Sequence, residues 1–412
     1  MSTTGGTALA ALAQVRAAEP ADAVDGVTPA YVASPATTAE AAEVLRTAAE
    51  QGLTVVARGT GSKLTWGAPP RQVDLVVETT RMDQVVEHAA GDLIVHAQAG
   101  VTLAALQQTV APAGQRLALD PLVPGTLGGL VATGGSGPLR HSHGGVRDLL
   151  IGITIVRADG VVAKAGGKVV KNVAGYDLGK LLAGSWGTLG LTTEVIFRLH
   201  PLPAVTRFVV RPVESPADAH GVVQRIVHSQ LVPSAVELDR PAGRPARIAV
   251  LVEGTEAGVT GRVDALLSLL GPGAVVQEGS PDWWGQPPWS PGDTALKLTH
   301  EIAGLPRLLD ALDAAAAHHG LRASVRGAAG FGLLHAALPA DADPAAVAAV
   351  VTAVRDASSA WSGDVVVLDA HPAVKEAVDV WGPVRGLDLM RRVKDQFDPG
   401  HRLAPGRFVG GI

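Results

Sequence analysis

The residues with most chemical meaning in this chain are glycines. Residues 57–67 read ARGTGSKLTWG, and residues 124–145 read PGTLGGLVATGGSGPLRHSHGG, the latter with eight glycines in 22 residues. Glycine at that density lets the backbone reach φ above zero and come close to a ligand. Successive backbone N–H groups in such loops make concavities that hold anions, pyrophosphate among them. A third cluster, Gly187 and Gly190, follows a strand–turn–strand pattern. Three clusters in that order suggest one extended dinucleotide held along its length, whereas a single loop would read as a turn.

Composition narrows the chemistry. The chain has no cysteine, which excludes disulfides, thiolate catalysis, a cysteine-linked cofactor and cysteine-bound iron–sulfur clusters within it. Redox chemistry here needs an organic carrier or a partner. A net charge of −5 argues against nucleic acid as the main partner. With 412 residues, two or three domains are expected, and Ala, Val and Leu must fill cores in which aromatics are only 3%. No apolar run reaches about 18 residues, so no membrane span is expected. The start has an apolar patch without a basic segment, which reads as a soft extension over residues 1–28, not a signal peptide.

The elements that must position the loops follow from pattern. Thr37 and Glu40 have capping-box spacing, and Val44, Leu45 and Ala48 fall on one helix face. A short apolar strand over residues 54–58 runs straight into the first loop. Thr102 and Thr126 precede helical patterns; the second, over residues 127–133, would aim its N-terminal N–H groups at a phosphate. Asp159-Gly160 between apolar runs predicts a hairpin. Pro201 and Pro203 mark a boundary, after which βαββαβ recurs twice, the ferredoxin-like pattern. The segment GSPDWWGQPPWSPGD interrupts the repeat, its tryptophans either anchoring the loop or forming a docking patch. The run Arg391, Arg392, Lys394 reads as a solvated helix face.

Read as a whole from about residue 29 onward, the chain resembles the FAD-linked oxidase family, with its vanillyl-alcohol-oxidase or PCMH type of FAD domain. The segments VPGTLGGLVATGGSG and GGKVVKNVAGYDLGKLLAGSWGTLGLTTEVIFRLHPLP carry the resemblance, together with the tail LMRRVKDQFDPGHRLAPGRF. Within the family the likeness is to the FAD-binding subunit of bacterial glycolate oxidase. The resemblance implies an α+β fold: a PCMH-type FAD domain of two α+β subdomains over residues 29–203, and a cap of two ferredoxin-like units over 204–385. Residues 386–412 would return to the FAD domain. Arg58, Gly59, Thr60, Gly61 and Ser62 would form the first pyrophosphate loop, and Pro124, Gly125, Thr126, Gly128 and Gly129 the second. Gly134, Gly135, Ser136 and Gly137 would continue along the ribityl chain, and Gly190 and Leu191 would meet the adenine end. Arg140, His141 and His143 either line the flavin or belong to a solvated loop.

Three departures refine this. Relatives that attach FAD covalently carry a histidine where this chain has Ser62, so non-covalent FAD is expected. Metal-dependent relatives carry G-H-x-G-D-G-N-x-H, where this chain has GAAGFGLLHAALP with His335 alone, so no metal is expected. The closing N-P-G is replaced by Ala404, Pro405 and Gly406. The resemblance further implies oxidation of glycolate or another small 2-hydroxy acid to the keto product. That reaction needs a base for the hydroxyl proton and a cation for the carboxylate. His300, His335 and Arg326 are the cap candidates, and Lys171, or else Asn172, is a candidate beside the flavin; each has a purely structural alternative. Electrons would pass to a second FAD-containing subunit and an iron–sulfur subunit of a cytoplasmic complex, which would reach the inner membrane only through those partners.

Overall fold

The computed structural model describes Leu9, residues 15–168 and residues 177–412. Its architecture is α+β, built as three layers of strands and helices. In the first, β1 (Val15–Ala17), β2 (Tyr31–Ala33), β3 (Val55–Arg58) and β4 (Leu75–Glu78) form a sheet in the order β1-β2-β4-β3. Strands β2, β4 and β3 run parallel, which requires a crossover, and helix α1 (Thr38–Glu50) supplies it. Thr37 Oγ1 accepts from the Glu40 N–H at 3.1 Å, and the Glu40 carboxylate accepts from the Ala36 N–H at 2.7 Å. Val44, Leu45 and Ala48 of α1 pack on Val55, Leu75 and Val77.

Residues 15–28, expected in a soft extension, are part of this layer instead. Strand β1 pairs with β2, and Asp22 bridges Arg16 to Arg58, the latter at 2.9 Å. Asp22 is 4% exposed. A carboxylate so placed needs its cations, and they fasten the segment to the end of β3.

The second layer is antiparallel. It contains β5 (Val85–Ala89), β6 (Ile94–Gln98), β8 (Leu150–Val156), β9 (Val162–Gly166) and β10 (Leu191–Arg198), in the order β5-β6-β10-β8-β9. A short pair, β7 (Gln115–Arg116) with β11 (His200–Pro201), lies beside it. Alternate residues of β10 are buried, Leu191, Thr193, Val195 and Phe197, as a strand with one face on a core must have. Helices α2 (Leu103–Val110) and α3 (Leu127–Thr133) cover that face.

The cap contains the expected repeat. The first unit is β12 (Val205–Val213), α4 (Pro216–Val227), β13 (Ala235–Arg240), β14 (Ala246–Gly254), α5 (Glu256–Leu270) and β15 (Val275–Gln277). The second is β16 (Thr294–Thr299), α6 (Leu305–His318), β17 (Ser324–Ala328), β18 (Leu333–Leu338), α7 (Pro344–Ser359) and β19 (Asp364–Asp369). The units do not merely sit side by side. Pairing of β13 with β17 fuses them into one eight-stranded sheet, ordered β15-β12-β14-β13-β17-β18-β16-β19. Leu238, Val325, Leu334 and Leu296 point into the helix layer. Glu237, Asp239, Arg326, His335 and Lys297 alternate with them and so occupy the opposite face.

Helix α8 (Leu387–Phe397) begins the tail. Lys394, expected in solvent, is fully buried. Its Nζ pairs with Asp398 at 2.7 Å and donates to the carbonyls of Thr188 and Leu403. Those contacts hold the tail against the second layer, and the chain then runs on to β3.

Candidate FAD and substrate site

Two adjoining clefts occupy the region where the layers meet. The first is open to solvent. Its wall is the loop that leaves β3. Among the described residues, the backbone N–H groups of Gly59, Thr60, Gly61, Ser62 and Lys63 donate to no protein acceptor. Five adjacent free donors make the anion cradle that the glycines suggest. Gly59 is required by packing: a Cβ there would stand 2.2 Å from Thr126 Oγ1. Thr126 also lines the cleft, with Gly125, Gly128, Gly129, Gly190 and Leu191.

Helix α3 does not play its expected part. The Leu127 N–H donates to Val101 O, the Gly128 N–H to Ala99 O, and the Gly129 N–H to Thr126 Oγ1 at 3.2 Å. Three of the four orphan donors of the first turn are thus satisfied by protein, which leaves the N-cap N–H of Thr126 as the helix's one donor without an acceptor among the described residues. Positive charge enters from elsewhere. Lys63 lines both clefts, and burial pulls its ammonium down to about 8.

The second cleft lies between residues 133–136 of the FAD-side loop and the polar face of the cap sheet. His335 on β18 and Lys297 on β16 stand directly opposite each other in the ladder. Trp289 meets His335 edge-on, ring centroids 5.7 Å apart, and Trp66 meets Trp289 at 6.2 Å. Arg140 stacks over Phe331 at 4.9 Å and bonds Ser136 Oγ at 2.8 Å. Burial, then the charges of Lys297 and Arg140, push His335 down to about 3, and its Nδ1 is sealed without a partner. Burial and the Arg140 charge also lower Lys297. Among the described residues Lys297 has no hydrogen-bond or salt-bridge partner, so its ammonium can face an incoming anion.

Family matches agree with this layout. Residues 29–166 match the FAD binding domain family, and residues 298–408 match the FAD linked oxidases C-terminal domain family. An uncharacterized FAD-linked oxidoreductase of Mycobacterium tuberculosis is 30% identical over 423 residues, covering 93% of this chain and 91% of that protein. The chain belongs to the FAD-linked oxidase family. Its cofactor is FAD, and the free N–H cradle and the glycine that admits no Cβ fit that group. Glycolate oxidase subunit GlcE of Escherichia coli is 38% identical over 152 residues, 36% of this chain and 43% of that one. Glycolate oxidase subunit GlcD of Bacillus subtilis is 33% identical over 216 residues, 52% and 46% of the two chains. The fold is that of p-cresol methylhydroxylase, TM-score 0.74 at 17% identity, covering 98% of this chain and 96% of that structure.

In this FAD-linked oxidase the candidate side chains divide sharply. His335 lines the second cleft, beside Gly134, Gly135 and Ser136. Arg326 shares the polar sheet face but is engaged elsewhere: its Nη2 is 2.7 Å from Asp239, and its Nη1 donates to the carbonyls of Gln286 and Pro287. It is a brace between β13, β17 and the tryptophan loop, and it lines neither cleft. His300 likewise lines neither; its Nδ1 faces Glu301 O at 2.7 Å just past the end of β16. Lys171, Asn172 and Tyr176 lie outside the described residues. The tryptophan loop is divided as well. Trp283 is buried and Trp284 packs on Phe208, whereas Trp289 lines the second cleft. Pro124 accepts from Ser62 Oγ at 2.8 Å through its carbonyl, joining the two loops, and Gly137 packs on Asp120, where a Cβ would stand 1.8 Å from the carbonyl oxygen.

Sequence reasoning missed Lys297 and Lys63. Lys297 sits in ALKLTH, where a lysine between buried leucines breaks the apolar run. That is a legible anomaly, because a strand facing two cores would not place a charge there. Lys63 follows the loop glycines directly. A buried carboxyl pair was also missed. Burial pushes Asp120 up to about 7, and burial with the Asp120 charge pushes Glu237 well up.

Proposed function

We propose that this protein is the FAD-binding subunit of a glycolate oxidase or dehydrogenase complex, oxidising a small 2-hydroxy acid to its 2-keto acid. The observation that carries the reading is the pairing of Lys297 and His335 on one cleft that adjoins the FAD cradle, with the Arg140 charge near enough to act on His335. Bound FAD supplies a two-electron hydride acceptor. Lys297 receives the substrate carboxylate as an ion pair in a recessed, low-dielectric site, and the nearby Arg140 adds to the positive field there. His335, held neutral, takes the hydroxyl proton. The arriving carboxylate offsets the two cations that help hold His335 down, so substrate binding itself raises its basicity. Trp66, Trp289 and Trp381 exclude water.

The remainder of the proposal follows from composition and relatives. FAD is held non-covalently, since Ser62 stands where covalent relatives have histidine, and no metal takes part. With no cysteine to bind a cluster, electrons leave through a second FAD-containing subunit and an iron–sulfur subunit; the glycolate oxidase names of two relatives support this. No described helix is long and apolar enough to cross a membrane; a cytoplasmic place, with membrane contact through partners, belongs to the same proposal. Leu333, Leu368 and the tryptophans favour a second substrate reading, because glycolate would leave these apolar walls uncovered. A longer 2-hydroxy acid such as D-lactate, the substrate that names a relative from Archaeoglobus fulgidus, would cover them.

The test is anaerobic reduction of the purified FAD-loaded chain. Glycolate or D-lactate bleaching the flavin bands supports hydride removal at this site, and the better substrate chooses between the two readings. Bands that stay oxidised with both acids move the chemistry to a partner subunit and make this chain a relay.

A further inference from the structure

The C-terminal tail brings a buried cation to the FAD cleft. Beyond α8 the chain runs parallel to β3. The Val55 N–H donates to Arg402 O and the Ala404 N–H to Val55 O, each at 2.8 Å, with a parallel bridge from Val55 to Leu403. Strand β3 ends at Arg58 and opens into the loop with five free N–H groups. A tail running the same way therefore reaches that loop a few residues later, and the residue there is Arg407. It is 4% exposed and lines the first cleft. Its Nη2 donates to Trp66 O at 2.7 Å, and Trp381 Nε1 donates to its main-chain carbonyl at 3.2 Å, so the residue is held at the guanidinium and at the backbone.

What Arg407 lacks is an anion. Among the described residues no carboxylate lies within 4.0 Å of it. The two nearest acids whose charges favour it, Asp25 and Asp369, are both engaged by Lys375, at 2.8 and 3.5 Å. Its Nε and Nη1 find no protein acceptor. Burial lowers the guanidinium to about 10, which leaves it charged at neutral pH. Lys63 on the same cleft is also without a carboxylate, bonding only Ser62 Oγ and Pro124 O. Arg58, the third cation there, is neutralised by Asp22 and Glu78. Two uncompensated cations and a row of free N–H groups on one wall call for a ligand with two adjacent negative charges. The start of α3, with the N–H groups of Leu127, Gly128 and Gly129 already taken, offers no more than the Thr126 N–H and no charge.

We propose that Arg407 is the counter-ion of the FAD diphosphate, so that cofactor binding and docking of the C-terminal tail are one equilibrium. The inference rests on the assignment of this cleft to FAD. A guanidinium gives the diphosphate a paired set of N–H donors opposite those of residues 59–63, and in return the diphosphate supplies the charge that the buried Arg407 lacks.

The experiment uses the full chain stripped of FAD and titrated calorimetrically with ADP, AMP and oxidised FAD at fixed ionic strength. ADP is expected to bind well above AMP. Arg407→Met is expected to weaken ADP and oxidised FAD by roughly 30- to 100-fold, as loss of one partner of a buried charge pair does, and AMP by less than about threefold. Unchanged ADP affinity would overturn the proposal. So would a variant that binds oxidised FAD normally and shows only a lowered flavin midpoint potential, for Arg407 would then serve the reduced ring. A wild-type chain that binds neither FAD nor ADP would sink the cofactor assignment itself. Should Arg407→Met fail to fold, hydrogen exchange on the wild type decides: ADP, and not AMP, must slow exchange across residues 400–412. Equal exchange with both nucleotides counts against the proposal.

Discussion

The two clefts are built in opposite ways. The FAD cleft is mostly backbone: a run of N–H groups from one short stretch, with glycines where Thr126 leaves no space for a Cβ. The cap cleft is mostly side chain: Lys297, His335 and Trp289 arrive from two strands and a loop, and Lys63 and Trp66 from the facing layer. A backbone cradle fails through shape, and a side-chain site fails through charge. That difference orders the expected effects.

The largest belongs to Gly59→Ala. Its new Cβ would meet Thr126 Oγ1 at 2.2 Å and push the two loops apart. FAD affinity, read by recovery of flavin fluorescence on dilution, should fall about 1,000-fold, or roughly 4 kcal/mol. An alanine variant that keeps its flavin would show that the cradle yields more easily than its packing implies.

In the cap cleft, Lys297→Met should lower kcat/KM for the 2-hydroxy acid about 100-fold, roughly 2.7 kcal/mol, while FAD stays bound. Loss of flavin in this variant would erase the distinction between the clefts. Arg326→Met sharpens it from the other side. Asp239, only 1% exposed, would keep Arg247 at 3.1 Å but lose its second cation. Thermal unfolding should report about 2 kcal/mol of lost stability, with KM unchanged; a raised KM would return Arg326 to the substrate site.

The smallest effect lies on the boundary between the regions. Asp120 accepts the Leu139 N–H at 3.1 and 3.0 Å yet is pushed up to about 7 by burial. A carboxyl whose folded value is raised favours the fold at pH below its unfolded value near 4, and that contribution is lost as pH rises toward 7. Asp120→Asn, neutral throughout, should therefore be relatively more stable at pH 8 than at pH 5, by about 1–2 kcal/mol against the wild type. Parallel stability profiles from pH 5 to 8 would mean that Asp120 titrates as an ordinary surface acid.

How much of this could be read beforehand follows the same division. The caps at Thr37, Thr102 and Thr126, the Asp159-Gly160 hairpin and the twofold βαββαβ repeat are local, and each is present. Residues 15–28 misled because a short apolar and acidic stretch carries no sign of the distant Arg58 that fastens it. Lys394 misled because its helix is strongly amphipathic, and nothing nearby announces that Thr188 and Leu403 will offer it carbonyls. Arg326 and His335 are equivalent in the sequence, each a polar residue on a cap strand, and they even stand opposite each other in the ladder. One is drawn off by Asp239 and the other is left facing the cleft.

Glycine loops, helix caps and strand periods act over a few residues, so their physics is complete within the segment that encodes them. The repeat and the anion-holding loop could therefore be read directly from the chain. Fusion of the two cap units through β13 and β17, the closing of α3's N–H groups by Ala99 and Val101, and the arrival of Arg407 beside the loop of β3 depend on partners tens to hundreds of residues away. Which charges stay free was decided only when packing had given the other buried cations their carboxylates, carbonyls or hydroxyls.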